Sequence, residues 1–99
     1  MYNVTMNRNN SITNDIDEIS KSIQTLDNQN AIRNFLLEIL TQSELETLSK
    51  RWRILKMLHE GETQREIAKA LGVSLCKVTR GAKILKDNTS TIANMIKEI

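Results

Sequence analysis

The sequence predicts an all-α fold, and three observations predict it. The 99 residues include no proline and only three glycines, with 39% hydrophobic and 26% charged residues, a composition that favours a helix-rich globular domain. Apolar residues recur at steps of three and four from Ile12 onward. Two Ser/Thr-x-x-Glu strings, beginning at Ser43 and at Thr63, head apolar runs, where a helix start needs acceptors for its free amide donors. A chain of this length makes one domain at most, with a limited core.

Residues 1–10 are polar and aperiodic and are expected to be a disordered arm, with a single helical domain over residues 11–99. Ile12, Ile16, Ile19, Ile23 and Leu26 then form a narrow apolar stripe, the kind that packs along another helix and needs a partner. Asp27, Asn28 and Asn30 interrupt it, and Ile32, Phe35, Leu36, Ile39 and Leu40 rebuild an apolar face on a second helix, antiparallel to the first, ending near Thr41. A third helix is expected from Ser43, boxed with Glu46, to about Glu60, where Gly61 stops it. At about 100° per residue, Leu45, Leu48, Trp52, Ile54, Leu55 and Leu58 share one arc, with Lys50, Arg53 and Met57 outside it. Arg51 falls inside that arc. Either its stem runs along the core edge to water, or its guanidinium is the wall of a pocket.

Several function classes are excluded by what is missing. Cys76 is the one cysteine and His59 the one histidine, so neither an internal disulfide nor the usual zinc ligand set is available, and His59 simply suits the last turn of its helix. No paired carboxylates, nucleophile with a neighbouring base, or phosphate-cradling glycine loop can be assembled, so an enzyme is not expected. The opening MYNVTMNRNN has no apolar core and no stretch approaches bilayer length, which makes the cytoplasm the expected location and excludes a membrane partner. Charge is segregated: residues 1–49 carry three cations against seven acids, a balance of −4, and residues 50–86 carry ten against three, a balance of +7. A polyanion is the natural partner of the basic half.

Residues 63–81, TQREIAKALGVSLCKVTRG, give that partner a form. Thr63 and Glu66 box the start of a short helix whose apolar face is Ile67 and Leu71, Ala68 is small enough for a tight crossing, and Gly72 permits the reversal. Ser74 caps the next helix, in which Leu75, Val78, Ala82 and Leu85 are placed inward and Cys76, Thr79, Arg80 and Lys83 outward. This is a helix-turn-helix pattern over residues 63–83, whose second helix suits the major groove of double-stranded DNA. Gln64, Arg65, Lys69, Lys77, Lys83 and Lys86 are assigned to phosphates, and Arg65, Cys76 and Thr79 to base edges, with Ser74 and Leu75 completing the DNA-facing set. Cys76 is read as a small contact residue rather than a nucleophile.

Residues 41–86 resemble the tryptophan operon repressor family, most closely in LTQSELETLSKRWRIL, EGETQREIAKALG and VTRGAKILK. The resemblance implies six-helix subunits intertwined as a homodimer, and a repressor that binds L-tryptophan as co-repressor before sitting on a palindromic operator of tryptophan biosynthesis or transport genes. It further implies that Arg51 and Arg80 sandwich the indole, that Thr41 contacts the ligand, and that Gly81 lets the ring approach the backbone. Ile84 stands where the family usually has a small residue that helps hold the ligand, Glu38 where it has an apolar one, and the loop between Gly61 and Gln64 is one residue shorter than the commonest form. Weaker tryptophan binding is expected for these reasons. Two other readings remain open: a ligand-independent or other-ligand DNA-binding regulator, and a helical interaction protein on the same scaffold.

Overall fold

The structure, a computed structural model, describes the backbone of residues 8–99 and the side chains of residues 11–99. Its helices are α1 (Arg8–Gln24), α2 (Gln29–Ile39), α3 (Gln42–His59), α4 (Gln64–Leu71), α5 (Leu75–Lys86) and α6 (Thr91–Lys97), with no strand among the described residues. Of the expected arm, residues 1–7 lie outside the described residues, while residues 8–10 are the first turn of α1. No described helix is long and apolar enough to cross a membrane.

The chain divides into two compact units, one ending at Leu40 and the other spanning Thr41–Ile99. In the first, Asn28 caps α2 by accepting the Ala31 N–H at 2.8 Å. No described side chain of residues 11–40 is buried, and Ile12 keeps 58% of its surface exposed. The sequence predicts that α1 and α2 pair, yet they make no extended contact with each other. A narrow stripe demands a helix to pack on, but its period does not say which helix.

The second unit holds the core. Ile54 of α3, Ile67 and Leu71 of α4, and Val78 of α5 are buried together, with Met57, Leu58, Ala68 and Val73 packed against them. Ala93 and Ile96 of α6 are also buried, and α6 lies against both α3 and α5. Two expectations for α3 are corrected. The capping box is Thr41 with Glu44, not Ser43 with Glu46: Thr41 N–H donates to Glu44 Oε1 at 2.8 Å, and Glu44 N–H donates to Thr41 Oγ1 at 3.2 Å. The buried face also runs through Ile54, Leu55 and Leu58, one side of the expected arc rather than its middle. Met57 therefore packs on the core, while Leu48 is 43% exposed. Arg51 lies on the same side as Ile54 and Leu58.

Candidate ligand cavity and nucleic-acid face

The approach of α5 to α3 is set by a glycine. A Cβ added at Gly81 would stand 2.9 Å from Ile54 Cγ2, 3.4 Å from Leu58 Cδ1 and 3.6 Å from Leu55 Cδ2. Only a residue without a side chain lets the two helices come this close. Beside the crossing lies a cavity of about 370 Å³, at the small end of the range for small-molecule sites. Its apolar lining includes Ile54, Leu55, Ile84 and Ile92, its polar lining includes Arg51 from α3 and Arg80 from α5, and it reaches Gly72 and Val73 in the turn before α5.

Of the four residues expected at a ligand, the structure brings Arg51, Arg80 and Gly81 to this cavity. Thr41 is not on its wall, and its hydroxyl and N–H are engaged in the α3 capping box. Gly81 lines the cavity, but the space its side chain would take is occupied by Ile54, so its first role is helix packing. Ile84 is on the wall; Glu38 is exposed on α2. The cavity also takes in Glu46, Lys50 and Lys77, which the sequence reading placed elsewhere. A signal for Lys77 was present, since residues 77, 80, 81 and 84 share one helix face at spacings of three and four.

The short helix pair is held by local chemistry. Thr63 and Glu66 form the predicted box, with Glu66 N–H donating to Thr63 Oγ1 at 3.2 Å. Gly72 takes the left-handed conformation at φ 64°, and Val73 N–H returns to the Ala68 carbonyl at 3.1 Å, closing the end of α4 in the way a C-terminal glycine permits. Ser74 Oγ accepts the Lys77 N–H at 3.4 Å, which starts α5. Arg65, Lys69, Ser74, Cys76, Lys77, Lys83 and Lys86 are exposed, giving the pair a basic outer surface.

Two side chains in this pair differ from expectation. Leu75, placed inward by periodicity but also in the DNA-facing set, is 46% exposed, while Val78, three residues on, enters the core. Thr79, placed outward, is half-buried, with its hydroxyl 2.9 Å from Gln64 Oε1 and 3.0 Å from the Leu75 carbonyl. One hydroxyl proton serves one of these acceptors at a time, so Thr79 ties the start of α4 to α5 or closes on its own helix.

Comparison with known proteins gives these features a family. The family described as Trp repressor protein matches residues 14–99. A Trp operon repressor homolog of Xylella fastidiosa is 53% identical over 51 residues, covering 50% of this chain and 55% of that protein. Homologs of the same description from Chlamydia trachomatis and Chlamydia caviae are 48% identical over 48 residues and 38% identical over 73, covering 48% and 73% of this chain and 51% and 69% of theirs. The chain thus spans about half the length of the first of these relatives. No solved structure matches it.

Proposed function

The chain belongs to the Trp repressor family, and from that premise we propose that it is a sequence-specific DNA-binding repressor that takes L-tryptophan as co-repressor. The observation that carries this reading is one cavity walled by Arg51 and Arg80 on neighbouring helices and touching the turn before α5. Guanidinium planes stack on aromatic faces, so a flat indole between the two is well held. A ligand seated there contacts α3, the turn and α5 together, and fixes the angle of α5. If only one angle fits DNA, the ligand shifts the population toward the binding-competent state by its differential affinity for it.

In this reading α5 enters the major groove, Arg65 and Cys76 face base edges with Thr79 close by, and Gln64, Lys69, Lys83 and Lys86 meet phosphates. The exposed apolar residues of α1 and α2, among them Ile12, Ile16, Leu36 and Ile39, support a homodimer in which a second copy covers them. A palindromic operator of tryptophan biosynthesis or transport genes, read in the cytoplasm by residues 11–99 acting as one domain, completes the proposal.

Calorimetry with L-tryptophan on the wild type, Arg51→Ala and Arg80→Ala, paired with operator binding in its presence and absence, tests it. The wild type should give heat and bind operator more tightly with ligand, and both variants should lose the heat. A wild type silent at millimolar L-tryptophan, with operator affinity unchanged, would sink the co-repressor role. A second reading, a regulator that binds DNA without tryptophan, is supported by Ile84 on the cavity wall and by Thr41 being spent on a helix cap. It expects the same operator affinity with and without the amino acid.

A further inference from the structure

Four cations and one carboxylate line the cavity: Lys50, Arg51, Lys77 and Arg80 against Glu46. This inference rests on the reading of that cavity as a ligand site and concerns which ligand group it grips. We propose that Lys77 is a ligand-binding residue of the cavity, where it meets the ligand's carboxylate and makes the site select aromatic carboxylates over neutral or cationic ring compounds.

A zwitterionic amino acid brings one negative and one positive group, and the wall offers the negative group four cationic partners and the positive group one carboxylate, Glu46, beside the hydroxyls of Ser43 and Thr47. Ile84 contributes no hydrogen-bonding atom near either. Arg51 and Arg80 use their planar faces when a ring lies between them. A lysine is better suited to the carboxylate, because its compact charge on a flexible stem carries three donors free to turn toward it. Lys77 is placed for that task at the third position of α5, three and four residues before Arg80 and Gly81 on one helix face.

The position of Lys77 also gives the contact a consequence. Like charges around an empty cavity repel, and a carboxylate relieves that repulsion while drawing the first turn of α5 toward the ligand. That turn follows Gly72 and Val73, which line the same cavity, so the charge of the ligand acts on the end of α5 that the helix-turn-helix reading sends into the groove. With ligand bound, the Lys77 ammonium is held by the carboxylate and is withdrawn from the phosphate contacts to which its sequence position assigns it.

The test compares L-tryptophan with L-tryptophanamide, which keeps the ring and ammonium and lacks the carboxylate, on the wild type, Lys77→Met and Lys97→Met. Circular dichroism first establishes that each variant is folded. Lys97 is exposed and off the cavity wall, so it controls for general surface charge. At low salt, Lys77→Met should weaken L-tryptophan about fivefold, the scale of one solvent-accessible ion pair, without weakening L-tryptophanamide, and Lys97→Met should change neither. Equal affinity of wild type and Lys77→Met for L-tryptophan overturns the proposal, as does equal weakening of both ligands, which would mean lost packing rather than a lost charge contact. A wild type that binds neither compound removes the ligand site itself, and this inference with it. That outcome is distinct from a wild type that binds L-tryptophan and a Lys77→Met variant that binds it as well.

Discussion

Gly81 shows how one residue can be assigned for one reason and needed for another. The Thr-Arg-Gly string marks it from sequence as a ligand residue, whereas its contact with Ile54 comes from a different helix and no local pattern reveals it. Two effects compete in Gly81→Ala. Replacing a mid-helix glycine favours folding by about 1 kcal/mol, while overpacking a tight core site costs about 1–3 kcal/mol. Ile54 is β-branched and stiff at χ1, so its Cγ2 at 2.9 Å cannot swing aside without moving the α3 backbone, and overpacking wins. Urea unfolding of Gly81→Ala should show a lower midpoint with an unchanged slope, and a higher midpoint would mean that α5 shifts freely away from α3. Thr79 makes a similar point. Thr79→Val keeps the shape and removes the hydroxyl that reaches Gln64, so it should cost about 1 kcal/mol of stability and weaken operator binding. A variant whose operator affinity matches wild type would show that this bond does not position Gln64.

At the level of helices, ends were easier to read than faces. Gly61, Thr63, Gly72 and Ser74 punctuate the chain as expected, because caps are satisfied by residues within three or four positions. Thr41 was missed because Thr41-Gln42-Ser43-Glu44 and Ser43-Glu44-Leu45-Glu46 are overlapping versions of one signal, and the earlier adds two residues to α3. The cavity was partly legible: Arg51 interrupts an apolar arc and Arg80 precedes a glycine, but Lys50 and Glu46 join only once the angle between helices is known. The caps carry a pH dependence. The Thr41 backbone N–H, and then its side chain, hold the Glu44 carboxyl below its usual range, and the Thr89 hydroxyl, then its N–H, does the same for Asp87. A carboxyl lowered in the folded state contributes stability that is complete above its unfolded value and is lost as pH falls through the folded one. Glu44→Gln should therefore destabilise the protein at neutral pH and lose that effect in acid below the ordinary carboxylate range. A stability difference between wild type and Glu44→Gln that is independent of pH would contradict the assignment. Thr63→Ala, at the head of α4, should cost about 1 kcal/mol in urea unfolding.

Over the whole molecule, charge and exposed apolar surface are the properties that matter. Basic residues concentrate in α3 to α5, whereas α1 and α2 carry Ile12, Ile16, Ile32, Leu36, Leu37 and Ile39 exposed, with no buried side chain among residues 11–40. Single exposed apolar side chains are ordinary, but six on two consecutive helices, with no buried side chain among the described residues, give those residues no core of their own. In the proposed homodimer a second copy supplies one. The expected mass by light scattering at micromolar concentration is therefore that of a dimer, and the unfolding midpoint should rise with protein concentration, because folding of α1 and α2 is linked to association. Placing a charge in the stripe separates this account from alternatives. Ile16→Glu combined with Leu36→Glu should yield a monomer that loses helix content, while the core of Ile54, Ile67, Leu71 and Val78, to which neither position contributes, survives. Such a monomer presents one α5 instead of two spaced by a helical turn of DNA, so its operator affinity should fall far more than its non-specific binding, which depends on phosphate contacts and retains its dependence on salt. A wild type that scatters as a monomer with full helicity, or a double variant that binds operator as tightly as wild type, would overturn the dimer.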